Sequence, residues 1–212
     1  MGDFRIQDVP RGNATVQVTK SGYQGFEQSV NIDSAEFRID IGNLRKECST
    51  WPADIRPVMS RLRLPPGLCL IRQPNGRGSS YDQDVRTVYL RSGSPVGGEL
   101  DAMAHELFHA HQHQHILESG LPDPSIFVRD SMVNAWVQTR EGRRFVELAG
   151  WRETAGRWVE NCERWSCGYP NPLEDAAVFM TVWFNPNGVH GSPNLERDAP
   201  QRSRWASEFF SR

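Results

Sequence analysis

Residues 105–109 read His105-Glu106-Leu107-Phe108-His109, and they lie in a run whose apolar spacing decides how the middle of the chain folds. Leu100, Met103, Ala104, Leu107 and Phe108 recur at i, i+3, i+4, i+7 and i+8, the stripe of a helix with one face on a core. Gly97-Gly98 precedes the pattern, and Gly120 with Pro122 closes it. On such a helix, residues i and i+4 lie about 40° apart around the axis and roughly 6 Å apart along it. His105 and His109 therefore fall together at the edge of the apolar stripe, where a cleft would form. Both imidazoles can reach one small cation there, and Glu106 can reach a water beside it.

His-Glu-x-x-His on a helix is the arrangement of zinc-dependent hydrolases, with the glutamate as general base. A catalytic zinc commonly has three protein ligands and a water, so a third ligand must come from elsewhere. His115 has the metzincin spacing, but Gln112 stands where those enzymes carry the glycine that ends the helix. If the helix continues through Gln112, His115 points about 100° away from the other two. His113 shares their stripe but lies about 12 Å along the axis from His105, too far for zinc–nitrogen bonds near 2 Å. A His109/His113 pair would have Ala110, not a carboxylate, beside it. His111, His113 and His115 are accordingly expected to be solvated, to support the ligands from behind, or to form an adventitious metal tract.

The stretch Asn171-Pro172-Leu173-Glu174-Asp175-Ala176-Ala177-Val178-Phe179-Met180 supplies the better third ligand. Asn171 suits an N-cap, Pro172 the first helical position and Glu174 the capping-box carboxylate, so Glu174 also has a purely local use as a helix start. Asp175 is the neighbouring alternative, either as the ligand or as a partner for an imidazole N–H. Together the two motifs resemble the gluzincins, and more narrowly the anthrax-lethal-factor-like and Pro-Pro-endopeptidase group. There a helix shortly after the His-Glu-x-x-His helix carries a Glu followed by small and aromatic residues. The resemblance covers these two motifs and departs at Val178, where that group has another Glu.

The resemblance implies His105, His109 and Glu174 as ligands of one zinc ion and Glu106 as general base, with Asp175 and His115 still open as third ligand. In the lethal-factor-like group a Tyr shortly before the ligand Glu stabilises the oxyanion; here that residue is Tyr169, and His190 is the rival donor. The implied activity is that of a metalloendopeptidase, hydrolysing peptide bonds in protein or peptide substrates by a metal-activated water with Glu106 as base. One alternative is a zinc hydrolase or other metalloenzyme acting on a non-peptide substrate. Another is a non-enzymatic metal-binding interaction module on a zincin scaffold, against which the intact Glu106 weighs. Two histidines and a glutamate also accept Mn, Fe, Co or Ni.

Composition bounds these readings. A chain of 212 residues suits one domain with a real hydrophobic centre, expected to be a monomer. A net charge of −2 gives no electrostatic case for nucleic acid or an anionic membrane. No apolar run approaches the roughly 18 residues needed to span a bilayer. Cys48, Cys69, Cys162 and Cys167 allow three disulfide pairings, of which Cys48–Cys69 with Cys162–Cys167 is locally simplest. Four reduced thiols in a cytoplasmic protein are the alternative. The even cysteine count leans towards export, so the expectation is a secreted or otherwise exported protein, although Met1–Arg5 has no apolar leader region.

Residues 1–45 read as short strands, at Ala14–Thr19, Phe26–Ile32 and Glu36–Ile41. Ile55–Leu64 reads as helix, and Leu68–Arg72 and Arg86–Arg91 as strands around a Gly/Ser/Asn loop at 74–80. Zincins place the substrate-pairing edge strand just upstream of the metal helix, where Thr87–Leu90 stands. Pro124–Leu148, Trp151–Cys162, Pro172–Phe184 and Ser203–Phe210 read as predominantly helical, with Trp136, Trp151, Trp158, Trp165, Trp183 and Trp205 packing between them. The expected fold is α+β: one zincin-like domain over 1–212, with a β-rich part at 1–95 that includes an antiparallel edge strand. The helical part, 96–212, carries the metal site, and the active site lies in the cleft between the two.

Overall fold

A computed structural model describes residues 10–18, 24–33, 47–73, 78–91, 98–124, 130–160, 169–188 and 194–210. Its elements fall into two compact units, residues 1–48 and 49–212. In the first, alternation of half-buried and exposed residues in β1 (Gly12–Val18) follows the two-residue period of a pleated strand. It pairs antiparallel with β2 (Phe26–Ile32), Gly12 opposite Ile32 and Val18 opposite Phe26. The strand expected over Glu36–Ile41 lies outside the described residues.

The second unit opens with a 3-10 turn at Ala53–Ile55 and a single helical turn, α1 (Arg56–Met59). The longer helix expected over Ile55–Leu64 stops there, and Ile55, Val58 and Leu62 point into the core. Strands β3 (Cys69–Gln73), β4 (Ser80–Asp82) and β5 (Thr87–Arg91) form a sheet in the order β3-β5-β4, with β3 parallel and β4 antiparallel to β5. Thr87–Leu90 is therefore the central strand and not the edge. Its buried Thr87, Val88 and Leu90 suit a strand covered on both sides. Among the described residues β3 and β4 are the edges; β4 begins at the last residue of the stretch that reads as loop, 74–80, and its three residues, with Tyr81 as their one large apolar member, show no alternation.

Helix α2 (Gly98–Glu118) runs unbroken through Gln112 and is packed by β4, β5, α3 and α5. It does not lie on the core with one polar face outward: nearly every residue from Met103 to His113 is buried. The stretch expected as one helix over Pro124–Leu148 divides into α3 (Ser131–Trp136) and α4 (Arg140–Ala149) among its described residues. Thr139 makes the break, its hydroxyl donating to the Trp136 carbonyl and accepting from the Gly142 N–H. The following segment corrects the sequence reading. Arg152–Thr154 (β6) and Arg157–Val159 (β7) form a hairpin where a helix is expected. Ala155 and Gly156 both have positive φ, the requirement of a two-residue type I′ turn that matches strand twist. Trp151 and Trp158, seven residues apart, imitate helical spacing.

Helix α5 (Pro172–Phe184) begins and ends where expected, and the chain closes with α6 (Leu195–Asp198) and α7 (Pro200–Phe209). Trp205 packs edge-on to Phe145 with ring centroids 4.8 Å apart, and Phe108 of α2 meets Phe210 at 5.8 Å. These aromatics bind α2, α4 and α7 into one core. Cys48 and Cys69 form a disulfide; Cys162 and Cys167, the second expected pair, lie outside the described residues. No helix among the described residues is long and apolar enough to cross a membrane.

Candidate metal centre

The first turn of α5 faces the middle of α2. Asn171 caps α5, its side-chain oxygen accepting from the backbone N–H groups of Leu173 and Glu174, both at 3.0 Å. With the helix start held by Asn171, the Glu174 carboxylate is turned to the imidazoles. His105 Nε2 and His109 Nε2 are 3.0 Å apart, and Glu174 Oε2 stands 3.3 Å from the first and 3.4 Å from the second. A tetrahedral ion with bonds of about 2.0–2.1 Å requires donor–donor separations of about 3.3 Å. The triangle thus has the size of a three-ligand face for zinc or a similar ion, and its donor set, two imidazoles and one carboxylate, suits such an ion.

Hydrogen bonding fixes which nitrogen of His109 faces the triangle. Gln112 donates its Nε2 to the Leu173 carbonyl at 3.1 Å, so its Oε1 faces His109 Nδ1 at 2.8 Å. A carbonyl oxygen only accepts; hence Nδ1 of His109 carries a proton, and Nε2 is the nitrogen that faces the site and is left to bind an ion once deprotonated. Gln112, notable in the sequence only as the missing glycine, is the residue that orients this imidazole. It also ties α2 to the first turn of α5, which brings Glu174.

Glu106 is 7 % exposed and lines an open pocket of about 340 Å3 with Ser79, Ser80, Tyr81, His105, His109 and Glu174. Burial raises the Glu106 carboxyl above its ordinary value, against the pull of His109 and His105, so it lies closer to the range useful for moving protons. Burial would also raise Glu174, but hydrogen bonds and charge from the two imidazoles hold it well below the usual carboxylate range. His109 responds in the opposite sense: burial opposes its charging, yet Glu174 pushes it up to about 9. Both directions express one fact, that the Glu174 carboxylate and the imidazoles beside it stabilise each other's charged forms. Every residue lining the pocket belongs to residues 49–212.

The structure disposes the remaining candidates differently. Asp175 is fully buried, accepting from Arg202 at 2.6 Å and from the Trp151 indole at 2.7 Å. It faces away from the imidazoles and belongs to the core, which corrects the expectation of an imidazole partner. Tyr169 is half-buried, with its phenol raised by burial and by Asp175 and Glu160; it does not line the pocket. The phenol-bearing residue that does is Tyr81. His190 lies outside the described residues.

His115 turns away from His105 and His109, as the unbroken helix requires, and donates from Nδ1 to Glu141 at 3.0 Å. His111 reaches the same carboxylate from Nε2 at 3.0 Å, which makes a second His/His/Glu group. Its proton arrangement opposes a metal. The backbone N–H of Arg63 donates to His111 Nδ1 at 2.9 Å, so that nitrogen carries the lone pair and Nε2 carries the proton. A protonated nitrogen cannot ligate. Burial would raise Glu141, but His111 and His115 bring it down to about 2, a buried carboxylate held by two donors. Far from being solvated, His111 and His113 are 2 % and 1 % exposed. His113 accepts the Tyr81 hydroxyl at Nδ1, 2.8 Å, and donates from Nε2 to Asp123, 2.9 Å.

No family model, no curated protein and no solved structure matches this chain.

Proposed function

We propose that this protein is a zinc-dependent metalloendopeptidase, with His105, His109 and Glu174 holding the ion and Glu106 as general base. The observation that carries the reading is the triangle of Nε2, Nε2 and Oε2 donors, edges 3.0, 3.3 and 3.4 Å, with a buried carboxylate beside it in one pocket. Zinc bound there supplies Lewis acidity, which acidifies water and polarises a carbonyl oxygen. Glu106 takes a proton from the attacking water and returns it to the leaving amine, a role suited to a carboxyl raised by burial. Gln112 keeps His109 in the tautomer that can bind the ion.

The pocket favours an extended peptide over a compact substrate. Ser79, Ser80 and Tyr81 form one wall, and the last two belong to β4, which among the described residues has β5 as its one strand partner. A sheet edge offers backbone donors and acceptors in register with an extended chain. The Cys48–Cys69 disulfide supports an oxidising compartment, and with it export.

Casein and a mixed peptide library are the substrates for the test, with zinc present, after chelation, and after zinc is restored. Cleavage lost on chelation and regained with zinc is the expected result. Glu106→Gln should bind zinc with unchanged fold and lose activity by about a thousandfold or more. Turnover retained in that variant sinks the assignment of Glu106. Zinc bound one to one without turnover on any peptide favours a binding module, and chelator-sensitive cleavage of ester or amide probes alone favours a hydrolase of another substrate class.

A further inference from the structure

The strand that walls the pocket is held from behind by a chain of side chains with a buried imidazole at its centre and an exposed carboxylate at its end. Asp123 is an acceptor when ionised, so His113 carries its proton on Nε2 and donates it there at 2.9 Å. His113 Nδ1 is then left as the acceptor of the Tyr81 hydroxyl at 2.8 Å, and the two rings meet at 51° with centroids 5.8 Å apart. His113 is 1 % exposed, and Tyr81 is half-buried. A second link runs alongside: Gln83, just past β4, donates from its side chain to the Pro124 carbonyl. The loop after α2 is thereby joined to β4 at two neighbouring points. Ser80 and Tyr81 of this strand line the same pocket as Glu106, so the strand forms the wall beside that carboxylate.

We infer that Asp123, His113 and Tyr81 form a brace that sets the position of β4 against α2, and with it the wall of the pocket in which Glu106 lies. His113 is on this view a positioning residue. It lies one helical turn beyond His109, on the same side of α2, yet acts on the wall of the pocket and not on the ion. The geometry explains why a polar ring is buried at position 113, where an apolar residue would fill the space without requiring partners. Tyr81 and Asp123 satisfy both of its nitrogens, and the strand is fixed as a result. The inference rests on the proposed peptidase reading for its catalytic consequence, but the brace itself is independent of it.

The test uses the zinc-loaded full chain and three variants: Tyr81→Phe, His113→Asn and His113→Leu. Nitrogen NMR of the wild type should show His113 protonated at Nε2, and Tyr81→Phe should shift Nδ1 towards the value of a free acceptor. Amide exchange at residue 81 should rise about tenfold in Tyr81→Phe and His113→Leu, with the β3–β5 amides unchanged. Zinc affinity should stay within about threefold in all three variants, since none touches a ligand. Against casein, kcat should fall about tenfold in Tyr81→Phe and more in His113→Leu. Asn places its side-chain oxygen close to where Nδ1 stands and still accepts the phenol, so His113→Asn should keep more activity than His113→Leu.

A role in packing alone predicts the reverse order, because Leu suits a dry site better than Asn. That reverse order, or unchanged amide exchange at residue 81 in both Tyr81→Phe and His113→Leu, overturns the brace. If the wild type cleaves no peptide, the NMR and exchange results still decide the brace, and only the peptidase reading is lost.

Discussion

Gln112→Leu removes the side chain that orients His109 while leaving all three donors in place. One buried group loses its partner, the Nδ1–H of His109, which donates at 2.8 Å; the Leu173 carbonyl, inside α5, loses one of its two acceptor bonds, at 3.1 Å, and keeps the helical one. At about 1–3 kcal/mol for the orphaned group, the metal-free protein should lose about 2 kcal/mol. For a chain of this size that lowers Tm by about 4–8 °C. Metal binding should suffer separately, because a group behind a ligand imidazole is typically worth about 10–100-fold in affinity. That is about 1.4–2.8 kcal/mol. The same amount is missing from the stabilisation by saturating zinc, so the difference in Tm between wild type and variant should widen by about 3–11 °C when zinc is added.

Chelator competition measures the affinity, and calorimetry with and without zinc measures the two losses. Gln112→Glu is the control. It restores an acceptor for His109 but cannot donate to Leu173, so it should keep zinc affinity and still lose stability. A folded Gln112→Leu protein that binds zinc within about twofold of wild type refutes the orienting role.

Further outcomes follow from packing and charge. Zinc should bind at one ion per chain, lost in Glu174→Ala and retained in Glu141→Gln, because His111 holds its proton on the nitrogen that a second ion would need; elemental analysis after dialysis reads both. Glu141 is held at about 2 against an ordinary 4.5, so its contribution to stability is fully present above about pH 4.5 and lost as pH falls through about 2. Denaturant unfolding from about pH 6 to about pH 2 should therefore show an acid-labile component in wild type that Glu141→Gln lacks. Gly142→Ala should destabilise by more than about 1 kcal/mol, since a Cβ there would stand 2.1 Å from the Trp136 carbonyl oxygen, and thermal melts check it.

Local patterns carried much of the fold. β2 and α5 keep the bounds expected of them because each has local signals: partial alternation over Phe26–Ile32 after Gly25, and an Asn-Pro start before an apolar run. The hairpin at 152–159 was illegible because each strand has three residues and its turn uses Ala155 in place of the usual Asn or Asp. β4 was illegible for a similar reason. Its strand character comes from pairing with β5, and three residues cannot announce a period.

The same division runs through the site. The spacing of His105, Glu106 and His109 needs no tertiary information, since helix geometry alone puts two imidazoles one turn apart with a carboxylate at hand. Glu174 was nameable, but its cap position left a local use as strong as a ligand's; the packing of α5 on α2 decides that its carboxylate meets the imidazoles. The alternate-residue histidines of 109–115 look equivalent in sequence and are not equivalent in space. An imidazole is ligand, donor or acceptor according to what faces its second nitrogen, and those partners come from Gln112, from Arg63, and from Tyr81. A linear sequence can specify which side chains share a helix face. Only the folded chain specifies where each proton sits, because that depends on groups brought together from distant segments.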